Sequence, residues 1–575
     1  MKRKRSPFGL RALRVVGVCV TLGMTCCVSA QSSSSAWFGG WLTDADRSGT
    51  LNVTADVLQP NQLNETAWSW ARGGLIPVGF GDADEESFEA GRVALVSWTP
   101  PISLIARSAG PWQVRVDTRG GASVPLRVWA RAGVGSVDFA QDGWAPVGPN
   151  GVWSGRAGVT LAVQATRLIE AGEDGRVRLV ASRVEGEQTR EATAELRVAP
   201  FVLAAGLQSA ELVVVRAVPE RNEAMVADLR RIVEKAGAEL HVIPGDAPYP
   251  RNHVWVQDAV EFGHVWTGRP DAAHVAMPSN RDRGLDLFAA DRLLDRGLRV
   301  IRVGDYRPDF ASGVGGPSWL DWYGNLEATP GTEQHPLGLA IYGVDPVSDA
   351  SLNPDVVAFL EAQGAQPTLG LDVGWLQIKH VDELVSFVPA GPTRADGTTP
   401  FAVVMPDPDV ALRVLEQLVA DGYGDAALFT PFEDGATPAT LLADEAFVAH
   451  NRALRAEWIE PAIARLCSAL GVPMDEVIRL PGLFNPNGSA RMPNVVNALL
   501  VNGHYIMSDP AGPDLPGGDP FKAAIRAALA DYPVTPHFVD DRLYHRWSGN
   551  VHCATNAIRR PAAVVPAPPS ASAVP

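Results

Sequence analysis

Hydrophobic and polar positions follow two patterns, which change near residue 200 of the 575-residue chain. In the first part, residues 36–199, short runs of strand-like composition are separated by turns rich in Gly, Asp and Pro. Clear examples lie at residues 93–98, 113–116, 124–129 and 177–180. Many short strands with frequent turn residues are typical of an antiparallel β-sandwich. We therefore predict a β-sandwich domain over residues 31–200.

Beyond residue 200, strand-like runs alternate with segments of helical periodicity. The apolar run at residues 212–215 is followed by a helical stripe, then by Gly237 and a second run at residues 240–243. The stripe consists of Met225, Val226, Leu229, Ile232 and Val233. This alternation predicts an α/β domain over residues 201–560, and on periodicity alone an open parallel sheet is one way to build it.

A second unit of the same kind begins with the run at residues 401–405. Asp407 is suited to the N-cap of the following helix, and Pro408 is suited to the first helical position. Gly422 is the residue at which this helix is expected to end. The predicted buried stripe of this helix is Val410, Val414, Leu415 and Leu418.

The two ends of the chain have compositions of their own. Residues 1–14 are basic and residues 15–30 are apolar, ending in Val-Ser-Ala, a small-x-small cleavage pattern. The apolar run is shorter than the ~20 residues of a membrane span, which predicts a secretory signal peptide, with an uncleaved anchor as the alternative. Residues 561–575, rich in Ala, Pro and Ser, predict a disordered tail. We expect a secreted or periplasmic protein without membrane attachment after cleavage.

The charge balance narrows the choice of partner. The formal net charge of −16 becomes −22 without the predicted signal peptide, which holds six basic and no acidic residues. Such an acidic chain excludes nucleic acid as a natural partner. It suits a cationic substrate, because long-range attraction raises encounter rates, although the same charge also serves solubility.

Two of the five cysteines remain after signal cleavage, Cys467 and Cys553. This number excludes a disulfide framework beyond a single possible pair. Cys467 shares a helical stripe with Ile459, Ile463, Leu466 and Leu470, so we interpret it as a packing residue. Cys553, in the segment Val-His-Cys-Ala-Thr-Asn, has no such stripe and is the candidate nucleophile.

Three other residues offer acid–base chemistry to this thiol. His380 and Asp382 lie in Lys-His-Val-Asp-Glu, and Asp258 follows Trp-Val-Gln. Taken singly, each is more often an ordinary structural residue. On a strand, the two-residue spacing would direct His380 and Asp382 to the same face. Two carboxylates suit a cation and are unusual for a neutral amide, which disfavours a thiol protease, the rival use of a Cys-His-Asp set.

These four segments, in this order, resemble the catalytic segments of the protein-arginine deiminases, within the guanidine-modifying superfamily. Similar matches occur at residues 42–50, 67–70, 196–201, 280–285, 324–327 and 493–497, so that the resemblance covers about residues 40–560. It implies an immunoglobulin-like β-sandwich followed by an α/β propeller of five ββαβ units. The sequence repeats are too diverged to reveal such units directly.

The resemblance also implies hydrolysis of peptidyl arginine to peptidyl citrulline and ammonia. Asp258 and Asp382 would hold the guanidinium, which accepts bidentate carboxylate contacts. Cys553 would attack as a thiolate, its pKa lowered by a cation such as the substrate or protonated His380. His380 would move protons while a covalent thiouronium forms and is hydrolysed.

Outside this pocket, the resemblance implies a substrate-binding role for Trp255, Arg281, Arg283 and Arg546. Arg283 aligns best with an arginine that holds the substrate's backbone carbonyls, and a solvated loop arginine is the alternative. Arg546 is only near the position of a family arginine. We therefore expect arginine-containing proteins or peptides as substrates. The alternatives are a deiminase of free arginine or another small guanidine, and a non-catalytic extracellular protein that binds arginine peptides.

The family resemblance further implies Ca²⁺ as a cofactor. Its ligands would be oxygen donors, as calcium prefers, from Gln257, Glu261 and Glu327 and from the backbone carbonyls of Tyr323 and Leu326. A second family site is poorly kept, because Ala259 and Pro278 stand in place of acidic ligands and only Ser279 and Asp282 match in part. Two acidic turns of the first domain could hold further ions or none, Asp44 with Asp46 and Asp82 with Asp84. The sequence does not indicate an oligomeric state.

Overall fold

The structure is a computed structural model that describes residues 40–43, 75–76, 94–99, 112–118, 126–132, 145–147, 152–155, 159–173, 175–185, 187–267, 272–280, 284–296, 298–305, 317–394, 398–430 and 435–561. The predicted signal peptide and the predicted tail beyond residue 561 lie outside these residues. So do Arg281, Asp282 and Arg283, as well as Asp44, Asp46, Asp82 and Asp84. Among the described residues, no helix combines the length and apolarity needed to cross a membrane.

Ten strands form two five-stranded sheets in the first part of the chain. They are β1 (Gly40–Thr43), β2 (Leu75–Ile76), β3 (Ala94–Thr99), β4 (Trp112–Thr118), β5 (Leu126–Ala132), β6 (Ala145–Val147), β7 (Val152–Gly155), β8 (Val159–Ala165), β9 (Arg176–Glu185) and β10 (Gln188–Val198). The strand orders are β1-β3-β8-β5-β6 and β2-β10-β9-β4-β7, and the pairing is antiparallel except between β2 and β10.

These two sheets share one buried core. Val128 and Leu161 come from one sheet, and Val114 and Leu179 from the other. In β4, β5, β8, β9 and β10, alternate side chains belong to this core, the arrangement of a sandwich. That its topology is immunoglobulin-like stays a prediction.

Seventeen strands follow in the described part of the chain: β11 (Phe201–Leu203), β12 (Ala210–Arg216), β13 (Glu239–Ile243), β14 (Val260–Val265), β15 (His274–Pro278), β16 (Arg299–Val300), β17 (Leu326–Ala328), β18 (Ala340–Asp345), β19 (Ala350–Ser351), β20 (Thr368–Asp372), β21 (Ser386–Pro389), β22 (Phe401–Asp407), β23 (Ile478–Pro481), β24 (Leu499–Val501), β25 (His504–Ser508), β26 (Thr535–Val539) and β27 (Thr555–Arg559).

The described helices all belong to this second part. They are α1 (Glu223–Lys235), α2 (Val256–Ala259), α3 (Phe288–Arg292), α4 (Pro354–Gln363), α5 (Pro408–Ala420), α6 (Pro438–Ala443), α7 (Glu445–Leu454), α8 (Glu460–Leu470), α9 (Pro520–Ala528), α10 (Arg542–His545) and α11 (Val551–Ala554). A π-helical turn at Arg455–Ile459 joins α7 to α8, and a 3-10 turn covers Val381–Glu383.

One pattern recurs in five small sheets. Two antiparallel strands are followed by helix and then by a strand parallel to the second: β14-β15-α3-β16, β17-β18-α4-β20, β21-β22-α5-β23 and β24-β25-α9-β26. In the fifth sheet, the strand β27 from the end of the chain pairs antiparallel with β12, and α1 leads from β12 to the parallel strand β13. The five sheets are separate, so their closure into a propeller stays a prediction.

Local sequence explains the helices that the periodicity predicted. Helix α1 buries Met225, Leu229, Ile232 and Val233, whereas Val226 of the predicted stripe is only half-buried because it lies at the edge of the inward face. In α5, the Asp407 side chain accepts hydrogen bonds from Asp409 N and Val410 N at the N-cap, and Pro408 begins the helix. The predicted stripe of α5 was wrong in part. Val410 and Val414 are only half-buried, because the face that packs inward is centred on Ala411, Leu412, Leu415 and Leu418.

Candidate active site

Five short segments form the site, and each lies directly before the first strand of one ββαβ unit. They are α2 before β14, the 3-10 turn Tyr323–Asn325 before β17, the 3-10 turn Val381–Glu383 before β21, residues 494–497 before β24, and α11 before β27. Consecutive segments contact one another, and α11 packs against α2. The repeated unit thus brings together side chains that are up to about 300 residues apart in the sequence, from Asp258 to Cys553.

Cys553 lies in α11 and is 4% exposed. Asn497 Nδ2 donates to its Sγ at 3.2 Å, and its backbone N donates to Asn497 Oδ1 at 3.2 Å. The Sγ atom is 3.5 Å from Asp382 Oδ2, which accepts a hydrogen bond from the thiol. Asn550, at the N-cap of α11, donates to the buried Asp541 at 2.8 Å and so anchors the start of the segment. The thiol is therefore held rigidly at the edge of a carboxylate.

His380 is fully buried beside the second carboxylate, with its Nδ1 3.6 Å from Asp258 Oδ1. Its Nε2 lies 3.0 Å from the carbonyl oxygen of Trp319. A carbonyl only accepts, so Nε2 carries a hydrogen, and Nδ1 is the nitrogen that faces the site and can exchange a proton. The ring of Trp322 packs edge-on against the imidazole at a centroid distance of 6.0 Å.

The expectation that His380 and Asp382 share one face of a strand was wrong. His380 is the extended N-cap of the 3-10 turn Val381–Glu383, and Glu383 Oε1 accepts a hydrogen bond from His380 N at 3.3 Å. The turn nevertheless presents both residues to the site, His380 towards Asp258 and Asp382 towards Cys553. The short sequence around His380 did not distinguish a capped turn from a strand.

Gly324 leaves the space between these groups open. A Cβ atom there would stand 2.5 Å from His380 Nδ1, 2.8 Å from Asp258 Oδ1 and 3.3 Å from Asp382 Oδ2. The absence of a side chain therefore creates a small space bounded by one imidazole and two carboxylates. A planar cation of guanidinium size is the group that such a space suits.

The electrostatics of the site oppose ionisation of the thiol. Burial and the negative charges of Asp382, Asp258 and Glu383 together raise the pKa of Cys553 well above its usual value. Burial and the charge of Asp382 likewise raise the pKa of Glu383. The expected lowering of the pKa of Cys553 is therefore absent without a bound cation. The reason is that the surrounding charges are carboxylates, and each of them disfavours a thiolate.

His552 and Asn497 were missed as site residues. His552 Nδ1 is 3.0 Å from Asp382 Oδ2, and its Nε2 is 3.5 Å from Glu327 Oε1. Although burial opposes protonation, Glu327 and Asp382 raise the pKa of His552. Each residue lies in a segment that the resemblance had marked, but sequence alone did not show which side chains turn inward.

The predicted calcium ligands lie together behind this site. Gln257 Nε2 donates to Glu261 Oε2 at 2.7 Å and to Tyr323 O at 3.1 Å. Burial raises the pKa of Glu327 to about 7, and burial and the charge of Glu327 raise the pKa of Glu261. The described contacts do not show whether the Leu326 carbonyl points to this cluster. Two buried carboxylates, an amide and a carbonyl are a donor set that fits Ca²⁺, once the Gln257 amide rotates to present its oxygen.

The buried guanidinium of Arg559 balances part of this negative charge. Its Nη atoms donate to Gln208 O at 3.0 Å and Leu500 O at 2.8 Å. Burial lowers the pKa of Arg559 to about 10, while Glu327 and Glu261 act in the opposite sense. Glu327 Oε1 is buried and accepts no hydrogen bond. The cluster therefore keeps a negative charge that an additional cation could balance.

A small cavity of about 20 Å³ adjoins Asp258. Trp255 lines it together with Ser279 and Trp322. Arg546 is exposed at the end of α10, and the described contacts do not place its guanidinium at this cavity. Arg281 and Arg283 lie outside the described residues, so their role stays a prediction.

Cys467 is separate from the site. It is buried in α8 among Ile463, Leu466 and Leu470, as the periodicity predicted. Burial raises the pKa of its thiol to about 11. The two described cysteines are both free, so the chemistry of this site depends on Cys553.

Comparison with known proteins identifies relatives of this chain. Mouse protein-arginine deiminase type-1 is 29% identical over 436 residues, covering 71% of this chain and 62% of that protein. The human type-3 enzyme is 30% identical over 396 residues, 64% of this chain and 55% of that protein. This chain thus matches 55–62% of the length of these relatives.

Solved structures with more distant sequences also match. The agmatine deiminase of Enterococcus faecalis is 13% identical, with a TM-score of 0.37, over 63% of this chain and 96% of that one. The family model for protein-arginine deiminase matches residues 188–565. This match includes all five segments of the site and more than half of the chain, so the chain belongs to the protein-arginine deiminase family.

Proposed function

We propose that this chain hydrolyses peptidyl arginine to peptidyl citrulline and ammonia. The observation that carries the proposal is that the Cys553 thiol lies 3.5 Å from Asp382 Oδ2, the same oxygen that bounds the space left by Gly324 together with Asp258 and His380. A nucleophile, two carboxylates and an imidazole around a space of this size suit attack on the carbon of a guanidinium. The family match supports the same reaction.

Asp258 and Asp382 would orient the substrate before reaction. Each carboxylate offers oxygen acceptors to the N–H groups of the guanidinium, and such charge-assisted pairs are both strong and directional. Asp258 Oδ1 and Asp382 Oδ2 face the space above Gly324. The planar cation would therefore lie between them with its central carbon next to Cys553 Sγ.

Substrate binding would also activate the nucleophile. Without substrate, the carboxylates keep the thiol protonated. A guanidinium between them supplies a positive charge within a few ångströms, which favours the thiolate. The thiol proton passes to His380 Nδ1, and the thiolate bonds to the guanidinium carbon, which becomes tetrahedral.

His380 Nδ1 would complete both halves of the reaction. In the first half it gives a proton to a nitrogen of the adduct, the C–N bond breaks and ammonia leaves, so that Cys553 carries a thiouronium. In the second half Nδ1 takes a proton from water, the hydroxide adds to the same carbon, and the C–S bond breaks. The released product is citrulline, and the thiol is restored.

Calcium would be held by Gln257, Glu261, Glu327 and the carbonyl of Tyr323, with the Leu326 carbonyl as a further ligand. It would neutralise two buried carboxylates and fix the turn that carries Gly324. Glu327 Oε1 has His552 Nε2 at 3.5 Å but accepts no hydrogen bond, and this oxygen together with the raised pKa values of Glu261 and Glu327 supports this proposal. The second, degenerate site is not needed for it.

Peptidyl arginine is the proposed substrate because the relatives are named protein-arginine deiminases. Arg283, with Arg281, would bind the backbone carbonyls, Trp255 would cover the aliphatic part of the side chain, and Arg546 would act at the rim. Export by the signal peptide would place the enzyme in the periplasm or outside the cell. Amino-terminal sequencing of protein recovered from culture tests that location, since an intact Met1 would contradict it.

The function is tested by citrulline formation on a blocked arginine peptide and on free arginine, each with calcium and with a chelator. We expect turnover of the peptide alone, and only with calcium. Turnover of free arginine alone would make the enzyme a small-guanidine deiminase. Equal turnover with calcium and with the chelator would exclude a calcium requirement. Peptide binding without turnover under any condition would indicate the non-catalytic alternative.

A further inference from the structure

Lys379, the residue directly before His380, has a backbone φ of +69°. Residues other than glycine rarely adopt this left-handed conformation, because the Cβ atom crowds the following carbonyl. Such a conformation persists only where the surroundings hold it. His380 itself returns to φ −102° and ψ 140° and leads into the turn Val381–Glu383. The direction in which the chain enters this turn is therefore set at Lys379.

An ion pair holds the Lys379 side chain. Its Nζ lies 2.5 Å from Asp345 Oδ2, and both side chains are largely shielded from solvent. Asp345, at the end of β18, also accepts hydrogen bonds from Ser348 Oγ at 2.5 Å and from Val347 N at 3.1 Å. Burial alone would raise the pKa of Asp345, but the hydrogen bonds from Lys379 and Ser348 keep it below its usual value. The acceptor is therefore rigid and ionised.

The rest of the turn has anchors that do not involve Lys379. Asn494 Nδ2 donates to Glu383 O at 2.8 Å, and Asn497 Nδ2 donates to Asp382 O at 3.3 Å. The Asp382 side chain is held by His552. His380 is at the other end of the turn, next to the strained residue, and its imidazole has one hydrogen-bond partner at 3.0 Å, the carbonyl oxygen of Trp319. A change at Lys379 should thus displace His380 more than Asp382.

We propose that the Lys379–Asp345 ion pair positions the His380 imidazole for proton transfer by stabilising the left-handed backbone before it, an inference that rests on the deimination proposed above. Lys379 is a positioning residue and does not contact the substrate. Its loss should lower kcat, which depends on proton transfer by His380. It should leave KM nearly unchanged, because the carboxylate of Asp382 keeps its own anchors.

Two substitutions of Lys379 distinguish the effect of its backbone conformation on kcat from the effect of its ammonium charge. Lys379→Ala removes the ammonium and leaves a residue that resists positive φ, so kcat should fall about tenfold with KM within about threefold of the wild type. Lys379→Gly removes the same ammonium but adopts positive φ freely, so kcat should stay within about threefold of the wild type. Thermal unfolding of each variant is measured in parallel to report loss of stability separately.

Asp345→Asn supplies the matched control at the other end of the pair. It keeps the shape of the side chain and should lower kcat as Lys379→Ala does, but add nothing in the Lys379→Gly background. Wild-type kcat in Lys379→Ala, equal losses in the Ala and Gly variants, or an effect on KM alone would overturn the inference. If the wild type is active and any of these outcomes is found, the proposed function stands and only the role of Lys379 is overturned. An inactive wild type would overturn both the proposed function and the role of Lys379.

Discussion

The space above Gly324 predicts a large effect of one added methyl group. Gly324 lies in the turn Tyr323–Asn325 and does not have a positive φ, so alanine suits its backbone. The new Cβ would stand 2.5 Å from His380 Nδ1 and 2.8 Å from Asp258 Oδ1, whereas ordinary carbon contacts are about 3.5–4.0 Å. Both groups would have to retreat by about 1 Å, and they are buried. Gly324→Ala therefore changes the reacting geometry directly.

A displacement of about 1 Å in a reacting group costs about 100-fold in rate, which corresponds to about 2.7 kcal/mol of transition-state stabilisation. Overpacking a buried site costs about 1–3 kcal/mol in the free energy of unfolding. We expect kcat/KM for citrulline formation on a blocked arginine peptide to fall at least 100-fold in Gly324→Ala, with the protein still folded at assay temperature.

Gly517→Ala is the control, because Gly517 is exposed and a Cβ there meets nothing within 4 Å. It should match the wild type in kcat/KM and in thermal unfolding. A Gly324→Ala variant with kcat/KM within about threefold of the wild type would refute the reasoning, since the substrate would then not occupy the space between His380, Asp258 and Asp382.

Other predictions address the thiol, its amide partner, the metal ligands and the second cysteine. Because burial and the carboxylates raise the pKa of Cys553, its alkylation by iodoacetamide in the free enzyme should stay slow through neutral pH and rise only above the pH at which an ordinary thiol reacts. A haloacetamidine, which carries its own cation, should alkylate Cys553 fast at neutral pH, and equal rates for both reagents would contradict the pKa argument. Asn497→Ala removes the amide contacts to Cys553 and should lower kcat about 10- to 100-fold, since a hydrogen bond to a charged group contributes about 1.5–3 kcal/mol. A variant that loses stability but keeps the wild-type kcat would contradict a role of Asn497 in the reaction. Glu261→Gln should raise the calcium concentration for half-maximal activity at least about tenfold, and an unchanged calcium titration would exclude Glu261 as a ligand. Cys467→Ala should leave kcat unchanged and lower the free energy of unfolding by about 1–2 kcal/mol, measured by denaturant titration, whereas loss of activity in a stable variant would contradict its packing role.

Local sequence was sufficient where a residue's environment is set by its near neighbours. The Asp407 cap and the Pro408 start of α5 follow from side-chain chemistry within a few residues. The burial of Cys467 follows from helical spacing. The stripe of α5 failed because small Ala411 and its neighbour Leu412 face the interior, and the sequence does not show which of two adjacent faces has a partner.

The site shows the limit of sequence more clearly. Asp258, His380, Asp382 and Cys553 were named from their segments, but the contacts between them depend on three segments that precede strands of three separate sheets. His552 and Gly324 lay in the same segments and gained no role, because nothing local shows that His552 joins Glu327 to Asp382. The local sequence also does not show that the missing Cβ of Gly324 opens the space between the reacting groups. The raised pKa of Cys553 likewise results from burial and from three carboxylates that sequence alone could not place around it.

Mass spectrometry of a blocked arginine peptide, incubated with calcium and either the wild-type protein or Cys553→Ser, tests the central claim most directly. For the wild type, we expect replacement of the arginine imino nitrogen by oxygen, with release of one ammonia per converted residue. For Cys553→Ser, we expect no conversion. Conversion by the serine variant at the wild-type rate, or an unchanged peptide with the folded wild type, would contradict deimination through Cys553.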